Sequence, residues 1–146
     1  MIELKTILLV EDNPQDVELT LEALAEYNLA NNVVSVSDGV KAMEYLRCEG
    51  EFKGRTTGNS AVILLDIKMP RMDGIEVLEQ IRKDEKLKHI PVVMLTSSRE
   101  DPDLIKCYSL GANAYVVKPV DFGEFMEAVK HIGIFWAVLN EQPPKQ

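Results

Sequence analysis

Two cysteines in 146 residues are too few for a disulfide framework. A chain of this length buries roughly 68–70% of the surface its unfolded form exposes, so its core needs no covalent or metal staple. Apolar runs of the ~20 residues that cross a bilayer are missing, and Met1–Lys5 lacks the basic-then-apolar pattern of a secretory signal. The expectation is therefore a cytosolic protein without membrane contact. Positive charge is scarce too: 16 Lys and Arg stand against 24 Asp and Glu, a formal charge of −8. No Lys/Arg stripe offsets it locally, and such a surface repels phosphate backbones, which argues against direct nucleic-acid binding. The two histidines, His89 and His131, have no partner at metal-ligand spacing, so a solvated or structural role is expected of both.

Five short apolar runs rich in β-branched residues are present: Thr6–Val10, Val33–Val36, Ala61–Leu65, Val92–Leu95 and Ala114–Val117. Each is too short for a helix and reads as a strand. Between them, apolar residues recur at three- and four-residue spacing, as in Val17, Leu21, Leu24 and Ile75, Leu78, Ile81, the period of an amphipathic helix. Strands alternating with helices imply right-handed crossovers and a parallel sheet. The fold expected is thus a five-stranded, three-layer α/β/α domain over residues 1–140, with 141–146 as a short tail. Asn13–Pro14 forms an N-cap and N1 pair, Asp73 with Glu76 resembles a capping box, and Gly111 suits a left-handed helix end. Gly50–Ser60 reads as an exposed loop. Cys48 and Cys107 fall in helical segments and are expected to be small buried thiols.

In open parallel sheets the functional crevice lies beyond the carboxyl ends of the strands. Glu11 and Asp12 follow the first run, Asp66 the third, Thr96 and Ser97 the fourth, and Lys118 the fifth. Parallel strands bring these to one edge, giving three carboxylates with a lysine and a hydroxyl at the rim. Clustered carboxylates repel unless a hard cation sits among them. Mg²⁺ fits best, because it takes oxygen ligands and works with one or two carboxylates plus a phosphate oxygen. Lys118 and the Thr96 hydroxyl suit the remaining phosphate oxygens, and an aspartate so placed can attack a phosphoryl donor to form an acyl phosphate. Each residue alone has a plainer reading: Asp12 as a helix-start acid, Asp66 as a turn cap, Thr96–Ser98 as a capping stretch before the fourth helix, Lys118 as an exposed lysine before proline, Tyr115 as core. Independent plain roles do not place all of the first four groups at the same end of four strands.

The segments Ile7–Asn13, Ile63–Pro70, Met72–Gly74, Pro91–Ser97 and Gly111–Pro119, in this order from about residue 5 to 130, resemble the receiver domains of bacterial two-component response regulators. The resemblance implies a flavodoxin-like doubly wound sheet of order 2-1-3-4-5. It implies Asp66 as phosphoacceptor, and Glu11, Asp12, Asp66 and the Lys68 carbonyl as ligands of Mg²⁺. Lys118 is implied as the phosphate-contacting lysine, followed by a cis bond to Pro119, and Thr96 and Tyr115 as switch residues that remodel the face of the fourth helix, fifth strand and fifth helix. Such a protein catalyses its own phosphotransfer and dephosphorylation and is not an enzyme acting on a separate substrate. Its partners are a sensor histidine kinase and a downstream protein. Glu11 replaces the aspartate often found first in the acidic pair, and Lys68 and Ser98 occupy positions that tune acyl-phosphate hydrolysis. The length points to a stand-alone receiver, and the Arg55-bearing loop and the C-terminal pattern are similar to small receivers paired with phytochrome kinases.

In the last helix Phe122, Phe125, Met126, Val129, Ile132 and Trp136 share one stripe, which should pack on the sheet. Ile134, Phe135 and Val138 point away from it, and if the helix continues they form an apolar patch for a homodimer or kinase contact. Three other readings compete. An aspartyl phosphatase on a similar sheet places its nucleophile after the first strand with a second acid two residues on, where this chain has Lys68 after Asp66. A flavin module wants hydroxyls and backbone N–H groups after the first strand, where Glu11–Asp12 would repel its phosphate. A phosphorylation-independent adaptor is opposed by the complete residue set.

Overall fold

A computed structural model describes residues 6–26, 29, 32–55 and 60–133. The order is β1 (Ile7–Val10), α1 (Pro14–Ala25), β2 (Val33–Val36), α2 (Gly39–Arg47), a 3₁₀ turn (Gly50–Phe52), β3 (Val62–Asp66), α3 (Gly74–Lys83), β4 (Val92–Thr96), α4 (Asp103–Ser109), β5 (Ala114–Val117) and α5 (Phe122–His131). All neighbouring strands are parallel, in the order β2-β1-β3-β4-β5, as expected. Two strands run one residue further than their apolar runs, so Asp66 and Thr96 are the last strand residues rather than the first beyond them.

Strand side chains alternate between faces, and the two cores follow that parity. Leu8, Val10, Ile63, Leu65, Val92 and Met94 pack with Ala42, Val77, Leu78 and Cys107 of α2, α3 and α4. Ile7, Leu9, Val62, Leu64, Val93, Leu95, Ala114 and Val116 pack with Leu24 of α1 and Phe125 and Val129 of α5. Extended by two residues, the second set's parity reaches Glu11, Asp66 and Lys118. Register completes the alignment, since Val10 lies opposite Leu65, and Asp66 opposite Leu95. Parity and register together send three charged side chains to the same face of the same sheet edge. Thr96 and Tyr115 have the opposite parity and lie toward α4.

Helix starts agree with their sequence signals. Asn13 Oδ1 accepts from the backbone N–H groups of Gln15 and Asp16 at 2.9 and 3.2 Å, and Asp73 Oδ1 accepts from Glu76 N–H at 2.9 Å. Gly111 has φ +95°, the left-handed end expected. Phe125, Met126 and Val129 are buried, with Phe122 and Ile132 partly so. Trp136 and the tail lie outside the described residues.

One plainer reading is set aside and one expectation is corrected. Thr96–Ser98 does not cap α4, whose first-turn Asp103 N–H is accepted by Asp101 Oδ1 at 2.9 Å. Cys48 is not a buried helical thiol: it is the half-buried residue ending α2 in the left-handed region, φ 55°. Cys107 is buried as expected. The described part of the Gly50–Ser60 stretch is largely exposed, as expected, and in it the Arg55 guanidinium lies 4.3 Å from the centroid of the Tyr45 ring and its Nε donates to Tyr45 O at 2.9 Å. It thereby serves the last carbonyls of α2.

Gly74 is the glycine on which the site depends. A Cβ there would lie 2.1 Å from the carbonyl oxygen of Asp66, while its N–H donates to Ile67 O at 2.9 Å. Gly74→Ala must displace the backbone that carries Asp66, and overpacking of this kind costs about 1–3 kcal/mol. Urea unfolding of the variant is expected to show a loss toward the upper end of that range; wild-type stability would contradict the close approach.

Candidate functional site

Glu11 leaves β1 into a buried position, 2% exposed, whereas Asp12 beside it is exposed. Asp66, at the end of β3, is 4% exposed. One oxygen from each of the three carboxylates lies within 4.8 Å of the others, so the cluster expected from the strand ends is present. From β5, Lys118 Nζ reaches Glu11 Oε1 at 3.1 Å, Asp16 Oδ2 at 3.2 Å and Asp66 Oδ1 at 3.4 Å. The Lys118–Pro119 bond is cis. These groups line a pocket of about 270 Å³ that also includes Lys68, Thr96, Ser97 and Asp101.

Burial and mutual repulsion leave a mark on protonation. Burial first, then the adjoining Asp66 carboxylate, push the Glu11 carboxyl up to about 7. Burial also raises Asp66, opposed by the hydrogen bond from Glu11, the Lys118 ammonium and the Lys68 backbone N–H. The hydrogen bond between the two raises Glu11 and lowers Asp66, so it favours a proton on the Glu11 side of the pair. Partial burial works against the Lys118 charge, but Asp66, Glu11 and Asp16 outweigh it and hold the ammonium above its ordinary value. The donor set, three acidic side chains against one lysine, holds more negative charge than Lys118 neutralises and fits a hard divalent cation taking oxygen ligands.

Thr96 is buried, and its Oγ1 is engaged by the segment that follows β4. It donates to Ser98 O at 2.9 Å, lies 3.3 Å from Asp101 Oδ2, and accepts from Ser98 N–H at 3.3 Å. Tyr115 is half-buried rather than core. Its ring meets Tyr108 of α4 edge-on at 6.3 Å between centroids, and its hydroxyl faces Arg99, which pairs with Glu124 of α5. The structure thus brings Glu11, Asp12, Asp66, Lys68 and Lys118 together, with Thr96 at the pocket wall and Tyr115 apart. His89 and His131 are exposed. Ile134, Phe135 and Val138 lie outside the described residues.

Asp16 and Asp101 carry no sequence motif that marks them. Asp16 looks like a first-turn acid of α1, which the helix dipole favours anywhere. Only the packing of α1 over the face that carries Lys118 makes it a neighbour of a lysine 102 residues later.

The chain belongs to the response regulator receiver domain family, whose model matches residues 7–130. Among solved structures it is similar to the bacteriophytochrome response regulator RtBRR, at 58% identity and TM-score 0.85, covering 97% of this chain and 85% of that one. It is also similar to the phosphorylated cyanobacterial phytochrome response regulator RcpA, at 43% identity and TM-score 0.74, covering 91% and 94%. Response regulator Rcp1 of Synechocystis sp. (strain ATCC 27184 / PCC 6803 / Kazusa) is 38% identical over 132 residues, 90% of this chain and 88% of its own. The Mn(2+)-bound form of response regulator Rcp1 matches with TM-score 0.73 at 35% identity, covering 97% of this chain and 99% of that one. Among the described residues no helix is long and apolar enough to cross a membrane.

Proposed function

We propose that this receiver accepts a phosphoryl group on Asp66 from a histidine kinase or a small acyl phosphate and passes the change to a partner protein. One observation carries the reading: the Asp66 carboxyl lines an open pocket within 4.8 Å of two further acidic side chains, with the Lys118 ammonium 3.4 Å away. Glu11, Asp12, Asp66 and the Lys68 carbonyl would hold Mg²⁺, which supplies positive charge for the transferring group and relieves the repulsion among the acids. An Asp66 carboxylate oxygen attacks phosphorus, and the bond from phosphorus to the donor's imidazole nitrogen or acyl oxygen breaks. Lys118 then turns its ammonium from Asp66 to a phosphoryl oxygen, which retains an ion pair throughout.

The Thr96 hydroxyl must leave the Ser98 carbonyl to meet the new phosphoryl oxygens. Departure loosens the segment 97–101, which holds both the start of α4 and the Arg99 pairing over Tyr115. That gives Thr96 and Tyr115 their switch roles and makes the α4–β5–α5 face the output, with added charge biasing a two-state element. The relatives named for phytochromes favour a phytochrome-like sensor kinase as donor and a cytoplasmic setting. Self-association or kinase docking through Ile134, Phe135 and Val138 is a reading of the sequence alone.

Incubation with acetyl phosphate should add one phosphoryl group to the intact mass in millimolar Mg²⁺ and none in EDTA. An unmodified mass under both conditions is the adaptor's result and would refute the proposal.

A further inference from the structure

We propose that Asp16 is a positioning residue that holds the Lys118 ammonium over the phosphoacceptor, a role that rests on the reading of Asp66 given above. Three carboxylates surround this ammonium, Glu11 at 3.1 Å, Asp16 at 3.2 Å and Asp66 at 3.4 Å. Glu11 and Asp66 belong to the group whose oxygens converge for a cation, and Asp16 does not. When the first two turn to the cation and the incoming phosphorus, Asp16 alone keeps its hold on the lysine.

The anchor is rigid. The Asp16 backbone N–H is fixed to Asn13 Oδ1 at 3.2 Å, and α1 is seated by buried Thr20 and Leu24. The side chains of Asp16 and Lys118 are 27% and 19% exposed, so solvent screens the pair less than a surface pair. A first-turn acid that served only the helix dipole would face solvent, whereas this one spends its carboxylate on a lysine across the sheet edge.

Positioning and charge pull the kinetics in opposite directions. Without Asp16 the ammonium samples more orientations, which slows the step in which the Asp66 oxygen–phosphorus bond forms and the donor's phosphorus–oxygen bond breaks, its electron pair leaving on acetate. One negative charge is also gone from the path of an anionic donor, so donor binding does not weaken.

The experiment measures phosphorylation of the full chain by intact mass over a range of acetyl phosphate concentrations at saturating Mg²⁺, for wild type, Asp16→Ala, Asp16→Glu, Lys118→Ala and Asp16→Ala/Lys118→Ala. Asp16→Ala is expected to lower the saturating rate about tenfold, with a half-saturating donor concentration no higher than wild type. Asp16→Glu should recover most of that rate. In the Lys118→Ala background, removal of Asp16 should have no further effect, the signature of a residue acting through the lysine. Asp16→Asn, nearly isosteric, carries the same comparison if the alanine variant melts early. A wild-type rate in Asp16→Ala, or an equal loss in both lysine backgrounds, overturns the role of Asp16 alone. A wild-type chain that gains no phosphoryl group overturns the reading of Asp66 and this one with it.

Discussion

Asp66→Asn is expected to abolish the phosphoryl adduct formed with acetyl phosphate and Mg²⁺, a loss to below detection, because the amide cannot replace the attacking carboxylate oxygen. The fold should survive. Asn is nearly isosteric, its amide can accept from the Lys68 N–H, and removal of one charge eases the crowding with Glu11. The variant is therefore expected to melt no lower than wild type in EDTA, while circular dichroism shows the same helix content. An adduct that persists in this variant would place the phosphoryl group elsewhere, on Asp12 or on a residue outside the pocket.

Stability should fall as pH rises through the range where Glu11 ionises, and Mg²⁺ should reverse the fall. Glu11 titrates at about 7 in the folded chain against 4.5 ordinarily. Between those values the folded state therefore binds more protons than the unfolded state, and stability decreases with increasing pH. Asp66, raised in the same direction, adds to the trend. Lys118 stays charged across the window and contributes no slope. The Glu11 contribution is on the order of 3 kcal/mol, worth about 2–4 °C in Tm per kcal/mol for a chain of this size. Melts in EDTA should thus give a higher Tm at pH 5.5 than at pH 8. Millimolar Mg²⁺ should raise Tm at pH 8, because it binds the folded state, and should raise it much less at pH 5.5, where the Glu11 proton competes for the same oxygens. Equal Tm at both pH values, with no response to Mg²⁺, would mean that the three carboxylates do not share a site.

The strand ends were readable in the sequence because parallel strands impose one direction on five β-branched runs, and four of them are followed by polar residues whose chemistry is complementary. Cap signals at Asn13 and Asp73 were readable for a local reason: their side chains bond within three residues. What escaped depends on contacts between distant segments. Asp16 becomes part of the site only once α1 lies over the β5 side of the sheet. Asp101, not Thr96–Ser98, accepts from the first-turn Asp103 N–H of α4, while Ser98 Oγ accepts from Glu100 N–H in the turn before it. Cys48 continues an apparently helical pattern, and the chain nevertheless reverses there into the left-handed region. Tyr115 alternates like a core residue, but β5 is an edge strand, and the ring is half-buried against Tyr108 of α4.

The most direct measurement is to locate the phosphoryl group itself. Borohydride reduction of the phosphorylated chain converts an aspartyl phosphate to homoserine, and peptide sequencing by mass spectrometry then identifies the position. Homoserine at residue 66 alone is the predicted result. Homoserine at residue 12, or no reduced residue in a chain that carries the adduct, would contradict the account.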